Sequence, residues 1–210
     1  IAIPAQEGRS NEYGFQISWL LGESSDPVAH VRAKLLEAGL LGDASSPLSH
    51  AMESAGFGRP SAMNHVETSS RQMTFHAGME GLKRSQVGKA RIRIWNALEK
   101  AATDGVPYST LQASLRDIRF QQREITSGGL PYGLHLLLNA LPFEMNGGDV
   151  IQAFDLEPAL QQLDEEIKDP AFFKVLVRAL LDNPTRLEST VFADAGYDAK
   201  RIEQEAASLA

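Results

Sequence analysis

Across residues 13–21 apolar side chains alternate. Tyr13, Phe15, Ile17, Trp19 and Leu21 fall on one side, and Gly14, Gln16 and Ser18 on the other. That period of two predicts a strand with one face on a core, closed by Gly22. Asp26-Pro27 follows with a capping oxygen and a proline at the first helical position. A helix is therefore expected through Val28, Val31, Leu35 and Leu36, stalling at Leu41-Gly42. A second helix is expected after Ser46-Pro47, with Leu48, Met52 and Ala55 on one side, closing at Gly56-Phe57-Gly58. Residues 63–81 read as a hairpin turning at Ser69-Ser70. Met73, Phe75, Ala77 and Met79 face one way in its stronger arm, Thr74 and His76 the other, and residues 63–67 form the weaker arm.

The period then lengthens. Val87, Ile94, Leu98 and Ala101 recur at helical spacing over 87–102, with a stop at Asp104-Gly105. Beyond Pro107, Leu111, Leu115, Ile118 and Ile125 share a second helical face, and Gly128-Gly129 and Pro131 break it as a hinge. The apolar run 134–141 reads as a core helix. Asp149 is a cap for a helix through Ile151, Phe154, Leu160 and Leu163 that Pro158 bends or splits. Asp169-Pro170 repeats the helix-start signal before Phe172, Phe173, Leu176, Val177 and Leu180, and Asn183-Pro184 ends that stripe. A strand over 185–193 and a helix over 198–209 complete the chain. The order predicts an α+β fold, an antiparallel sheet with helices packed on one face. Residues 1–12, with Pro4, Gly8 and polar neighbours, are expected to be a linker remnant. Residues 13–210 are expected to form one domain excised from a larger multi-domain protein.

Composition narrows the chemistry. A chain of 210 residues buries about 70–75% of its extended surface on folding, enough for a core without staples. It has no cysteine, which removes disulfides, thiolate metal ligands and a thiol nucleophile. No apolar run approaches the length of about 18–20 residues that a membrane helix needs. The net charge of −7 argues against duplex binding, because phosphate contacts demand a local excess of lysine and arginine.

No motif supplies catalysis. The histidines are His30, His50, His65, His76 and His135, and none has a second histidine four residues on. His65-Val66-Glu67 offers two donors on a strand, enough for adventitious metal only. Arg116, Arg119 and Arg123 share the face opposite the leucines. They read as a solvated face near Asp117 and Glu124, with a cationic strip lining a cavity as the functional alternative. The run from Gly128 to Gly133 lacks the Lys-Ser/Thr pair of a phosphate loop, and Ser45-Ser46 and Ser69-Ser70 lack a nucleophile elbow.

Several segments together resemble a known family. FQISWLLGESSD (15–26) and LLEAGLLGDASSPLSHAMESAGFG (35–58) are similar to the opening of the second domain of pitrilysin/insulinase-family zinc metallopeptidases (inverzincins), in their presequence-protease-like branch. ETSSRQMTFHAGMEGL (67–82), LQASLRDIRFQQRE (111–124) and FFKVLVRALLDNPTRLESTVFAD (172–194) are similar to its central hairpin, the following helix and the late helix–turn–strand. The resemblance implies a two-layer, processing-peptidase-like domain, one of four related α+β domains that enclose a peptide-holding chamber. Zinc there sits on an H-x-x-E-H helix of the first domain, whose glutamate is the general base. No such motif occurs here, so no catalytic and no metal-ligating residue carries over, and the substrate-binding residues stay unassigned. The expectation is a non-catalytic domain of a zinc metalloendopeptidase that degrades unstructured oligopeptides, with zinc in the parent and no cofactor in this segment. Its expected partners are the metal-bearing first domain, the C-terminal half of the same chain and the parent's peptide substrates, with no nucleic acid and no membrane, in the cytoplasm. The alternative is a catalytically inactive structural or docking module of the same fold.

Overall fold

The computed structural model describes residues 1–4, 12–123 and 131–208; of Arg123, Tyr132, His135 and Asn139 it describes the backbone alone. The alternation of residues 13–21 becomes β2 (Tyr13–Glu23), preceded by β1 (Ala2–Pro4). Phe15, Ile17 and Trp19 are buried on one face, as the period of two requires. Two short strands, β3 (Arg59–Pro60) and β4 (Val66–Glu67), lead to β5 (Gln72–Leu82), and β6 (Arg186–Asp194) comes late in the chain. The sheet runs β1-β6-β2-β5-β3, with β4 also on β5. β2 pairs antiparallel with both β5 and β6.

Two expectations for the sheet need correction. Ala2–Pro4 is a parallel strand on β6 rather than linker, so the sheet is not purely antiparallel. Three residues carry no readable alternation, which is why the sequence hides this strand. The weaker hairpin arm is only Val66–Glu67, and Asn64 stands in for the missing ladder. Its Oδ1 accepts from the Gly78 N–H at 2.6 Å, and its Nδ2 donates to the Gly78 carbonyl at 3.0 Å.

The α-helices of the described chain are α1 (Pro27–Leu41), α2 (Pro47–Glu53), α3 (Val87–Asp104), α4 (Tyr108–Arg123), α5 (Tyr132–Met145), α6 (Val150–Phe154), α7 (Glu157–Glu166), α8 (Phe172–Asp182) and α9 (Tyr197–Ser208). Asp26 caps α1 as expected, accepting from the N–H groups of Val28 and Ala29 at 2.9 and 3.2 Å. Gly105 ends α3 at φ 81°, a conformation glycine reaches without steric cost. The Asp149 helix splits at Asp155-Leu156, leaving Pro158 in the first turn of α7. α8 starts two residues after Pro170, because Asp169 caps the preceding turn through the Ala171 N–H.

The core lies between the sheet and this helix layer. Phe15, Ile17, Trp19, Met73, Phe75 and Met79 of the sheet pack with Leu35, Leu40, Ile94, Leu98, Leu160, Phe173 and Val177 of the helices. Trp19 and Phe75 tilt together at 5.8 Å between centroids. Gly39 lets α8 come close: a Cβ there would stand 2.5 Å from the Phe173 ring. Ion pairs fasten helices from outside, with Arg32 on α1 bonding Glu166 and Arg91 on α3 bonding Glu188.

The run 134–141 departs from its expected role as a core helix. Leu134, Leu137, Leu138 and Leu141 of α5 are all exposed, and among its described side chains only Ala140 and Phe143 are buried. Gly128, Gly129, Leu130 and Ile125 lie outside the described residues, so the hinge reading does too.

Candidate functional site

Helices cover one face of the sheet, and the opposite face is mostly polar. It carries Gln16, Ser18 and Leu20 of β2, Thr74, His76 and Glu80 of β5, and Leu187, Ser189 and Val191 of β6, none of them buried. The pleat puts these side chains on the side opposite Phe15, Ile17 and Trp19.

His76 is the hub. Ser18 Oγ is 2.8 Å from its Nδ1, and Thr74 Oγ1 is 2.8 Å from its Nε2. A hydroxyl can donate or accept, so both contacts suit a neutral ring in either tautomer. Partial burial, with His65 nearby, holds the imidazole below its usual range against the opposing pull of Glu67. The two histidine rings stand 5.6 Å apart. Glu67 is itself held below the usual carboxylate range by the Ser69 N–H, which donates to it at 2.7 Å.

The Ser18–His76 distance is that of a nucleophile and its base, but the surroundings do not complete such a pair. No carboxylate orients the ring, since Thr74 fills that position. The backbone N–H groups beside it are also committed: that of His76 bonds the His65 carbonyl at 3.0 Å and that of Gly78 bonds Asn64. Neither of these two is left to hold an oxyanion. The arrangement can bind and orient a polar chain. At one end of this face a groove of about 150 Å³, lined in part by Tyr13, Gly14, Arg59, Glu80 and Val191, adds an ion pair of 2.9 Å between Arg59 and Glu80.

The zinc site of the resembled family needs two imidazoles and a carboxylate converging on one point. His30 packs on Phe143 at 5.8 Å, His50 sits on α2, and His65 and His76 share the sheet face with their ring contacts already made. The side chain of His135 is outside the described residues. Among the described residues no three histidine or acidic side chains come together, so these donors do not fit the metal.

The arginine strip is also divided. Arg116 faces solvent, the side chain of Arg123 is outside the described residues, and Arg119 is drawn into α7. Arg119 Nη2 is 2.5 Å from Asp164, and its Nε is 3.3 Å from Glu157. Sequence spacing along α4 could not show this, because the carboxylates belong to another helix. Among the described residues no helix is long and apolar enough to cross a membrane.

No family model matches the chain. It is 26% identical over 176 residues to presequence protease 1, chloroplastic/mitochondrial, of Arabidopsis thaliana, an alignment covering 81% of this chain and 16% of that protein. The chain thus spans a small part of the curated relative it matches. An inactive peptidase domain from Bordetella parapertussis superposes with a TM-score of 0.66 at 14% identity, covering 86% of this chain and 92% of that one. The peptidase M16 inactive domain from Pseudomonas fluorescens gives 0.59 at 12% identity, covering 92% of this chain and 43% of that one. In fold the chain is similar to these two solved inactive peptidase domains, and in sequence it is similar to the presequence proteases.

Proposed function

We propose that this domain is the non-catalytic partner of a zinc-bearing domain in a metalloendopeptidase that degrades unstructured oligopeptides. Its polar sheet face, centred on His76, would form part of the wall of the peptide-holding chamber. The observation that carries the reading is similarity to presequence proteases in a chain with no H-x-x-E-H anywhere in its sequence. The domain's contribution is enclosure. Holding a flexible peptide beside a metal raises its effective concentration there and excludes folded chains that do not fit.

The test uses the full-length parent protein. It should cleave an unstructured peptide in a chelator-sensitive reaction and leave a folded protein of similar composition intact. A full-length protein that binds no zinc and cleaves nothing would replace this reading with that of an inactive structural or docking module.

A further inference from the structure

The face formed by α5 and α6 has no business in water. Leu137 is 58% exposed and Phe154 52%, and Leu134, Leu138, Leu141 and Ile151 are exposed beside them. α5 contains a single formal charge, Glu144, and α6 contains none. Solvated helices alternate such stripes with charge, whereas this surface has the composition of a buried one. Among its described side chains α5 is seated on its own domain by few: buried Ala140, Phe143 against the His30 ring, and at its end Asn146 donating to Ser24 Oγ and the Ser69 carbonyl at 3.2 Å each.

The charge along this stretch of the chain has one sign. From residue 124 to residue 167 the sequence holds no lysine or arginine. Glu144, Asp149 and Asp155 border the apolar side chains, and no ion pair is made by any of them among the described residues. A second copy of this chain would therefore bring acid against acid, which opposes self-pairing.

We propose that this surface seats another domain of the parent polypeptide, one presenting an apolar face rimmed by lysine or arginine. The inference rests on the reading of the chain as one domain of a longer peptidase. The extent of chain available agrees with it, since this sequence spans 16% of its Arabidopsis relative and 43% of its Pseudomonas structural neighbour.

The absence of cysteine permits a direct test. Leu137→Cys is introduced into the 210-residue chain and into the full-length parent, and maleimide labelling at that site is followed by mass spectrometry. Val175→Cys on α8, 64% exposed between Lys174 and Arg178, serves as reference. Relative to Val175→Cys, Leu137→Cys should label freely in the short chain and at least about tenfold more slowly in the parent, as expected at a dry interface core. Adding Leu141→Glu should restore labelling in the parent. Equal labelling in the two proteins overturns the proposal. So does protection in the short chain that grows with protein concentration, which would assign the face to a second copy. A parent that cleaves peptides while Leu137→Cys stays open retires the interface and keeps the peptidase. A parent that protects the site yet cleaves nothing does the reverse.

Discussion

At the scale of single residues, His30 is the most sensitive point. Its ring lies against Phe143, its Nδ1 has no hydrogen-bond partner, and burial with the nearby Lys34 pushes its pKa down to about 4. In the unfolded chain the same imidazole titrates near its ordinary value of 6.5. Between those values the unfolded state binds the proton and the folded state does not. Stability is therefore fully present above about pH 6.5 and falls as pH drops towards about 4, by up to about 3 kcal/mol. His30→Phe should flatten that window in urea unfolding curves. An identical acid loss in the variant would show that His30 is not responsible. Gly78 is the second such point. A Cβ there would stand 2.4 Å from the Phe15 carbonyl and 2.8 Å from Gln16 Oε1, so the main chain would have to yield. Gly78→Ala is expected to cost about 1–3 kcal/mol, as overpacking does elsewhere. Unchanged denaturation midpoints would mean that β2 and β5 are less closely locked than their pairing indicates.

Among the elements, sequence patterning succeeded where a segment carries its own period and its own stop. β2, α1, α3, α8 and β6 were readable for that reason. Asn64 was not, because a side chain replacing a stretch of ladder leaves no periodic trace. Asn64→Ala should expose the Gly78 amide to rapid hydrogen exchange and cost about 1–3 kcal/mol, the price of an unsatisfied donor. Asn64→Asp, which keeps the acceptor, should protect that amide; exchange as fast as in the alanine variant would contradict the assigned bond. Arg119 was misjudged for a different reason: a helical wheel shows a residue's own helix and not α7 beside it. Arg119→Met should destabilise by about 1 kcal/mol, more at low salt than at high. A loss independent of salt would point to the alkyl stem rather than to the ion pairs with Glu157 and Asp164. α5 differs most from its sequence pattern. The apolar run 134–141 predicts a core helix, yet Leu134, Leu137, Leu138 and Leu141 face outward, and periodicity reports that a helix has an apolar side without saying whose core it enters.

For the whole molecule, the α+β class and the face that bears the helices followed from the alternation of β2 and β5. The candidate site was much less legible. Ser18, Thr74 and His76 are individually unremarkable positions on the polar side of two strands, and only the register of β2 against β5 brings them within 2.8 Å. In the proposed reading such a face holds a peptide and a metal in another domain breaks its bonds, since no three donors come together here among the described residues. Zinc content and peptide hydrolysis of the purified 210-residue chain, incubated with zinc and freed of excess ion, test that division most directly. The expected result is substoichiometric zinc and no cleavage of an unstructured peptide; one tightly held zinc per chain with chelator-sensitive cleavage would contradict it.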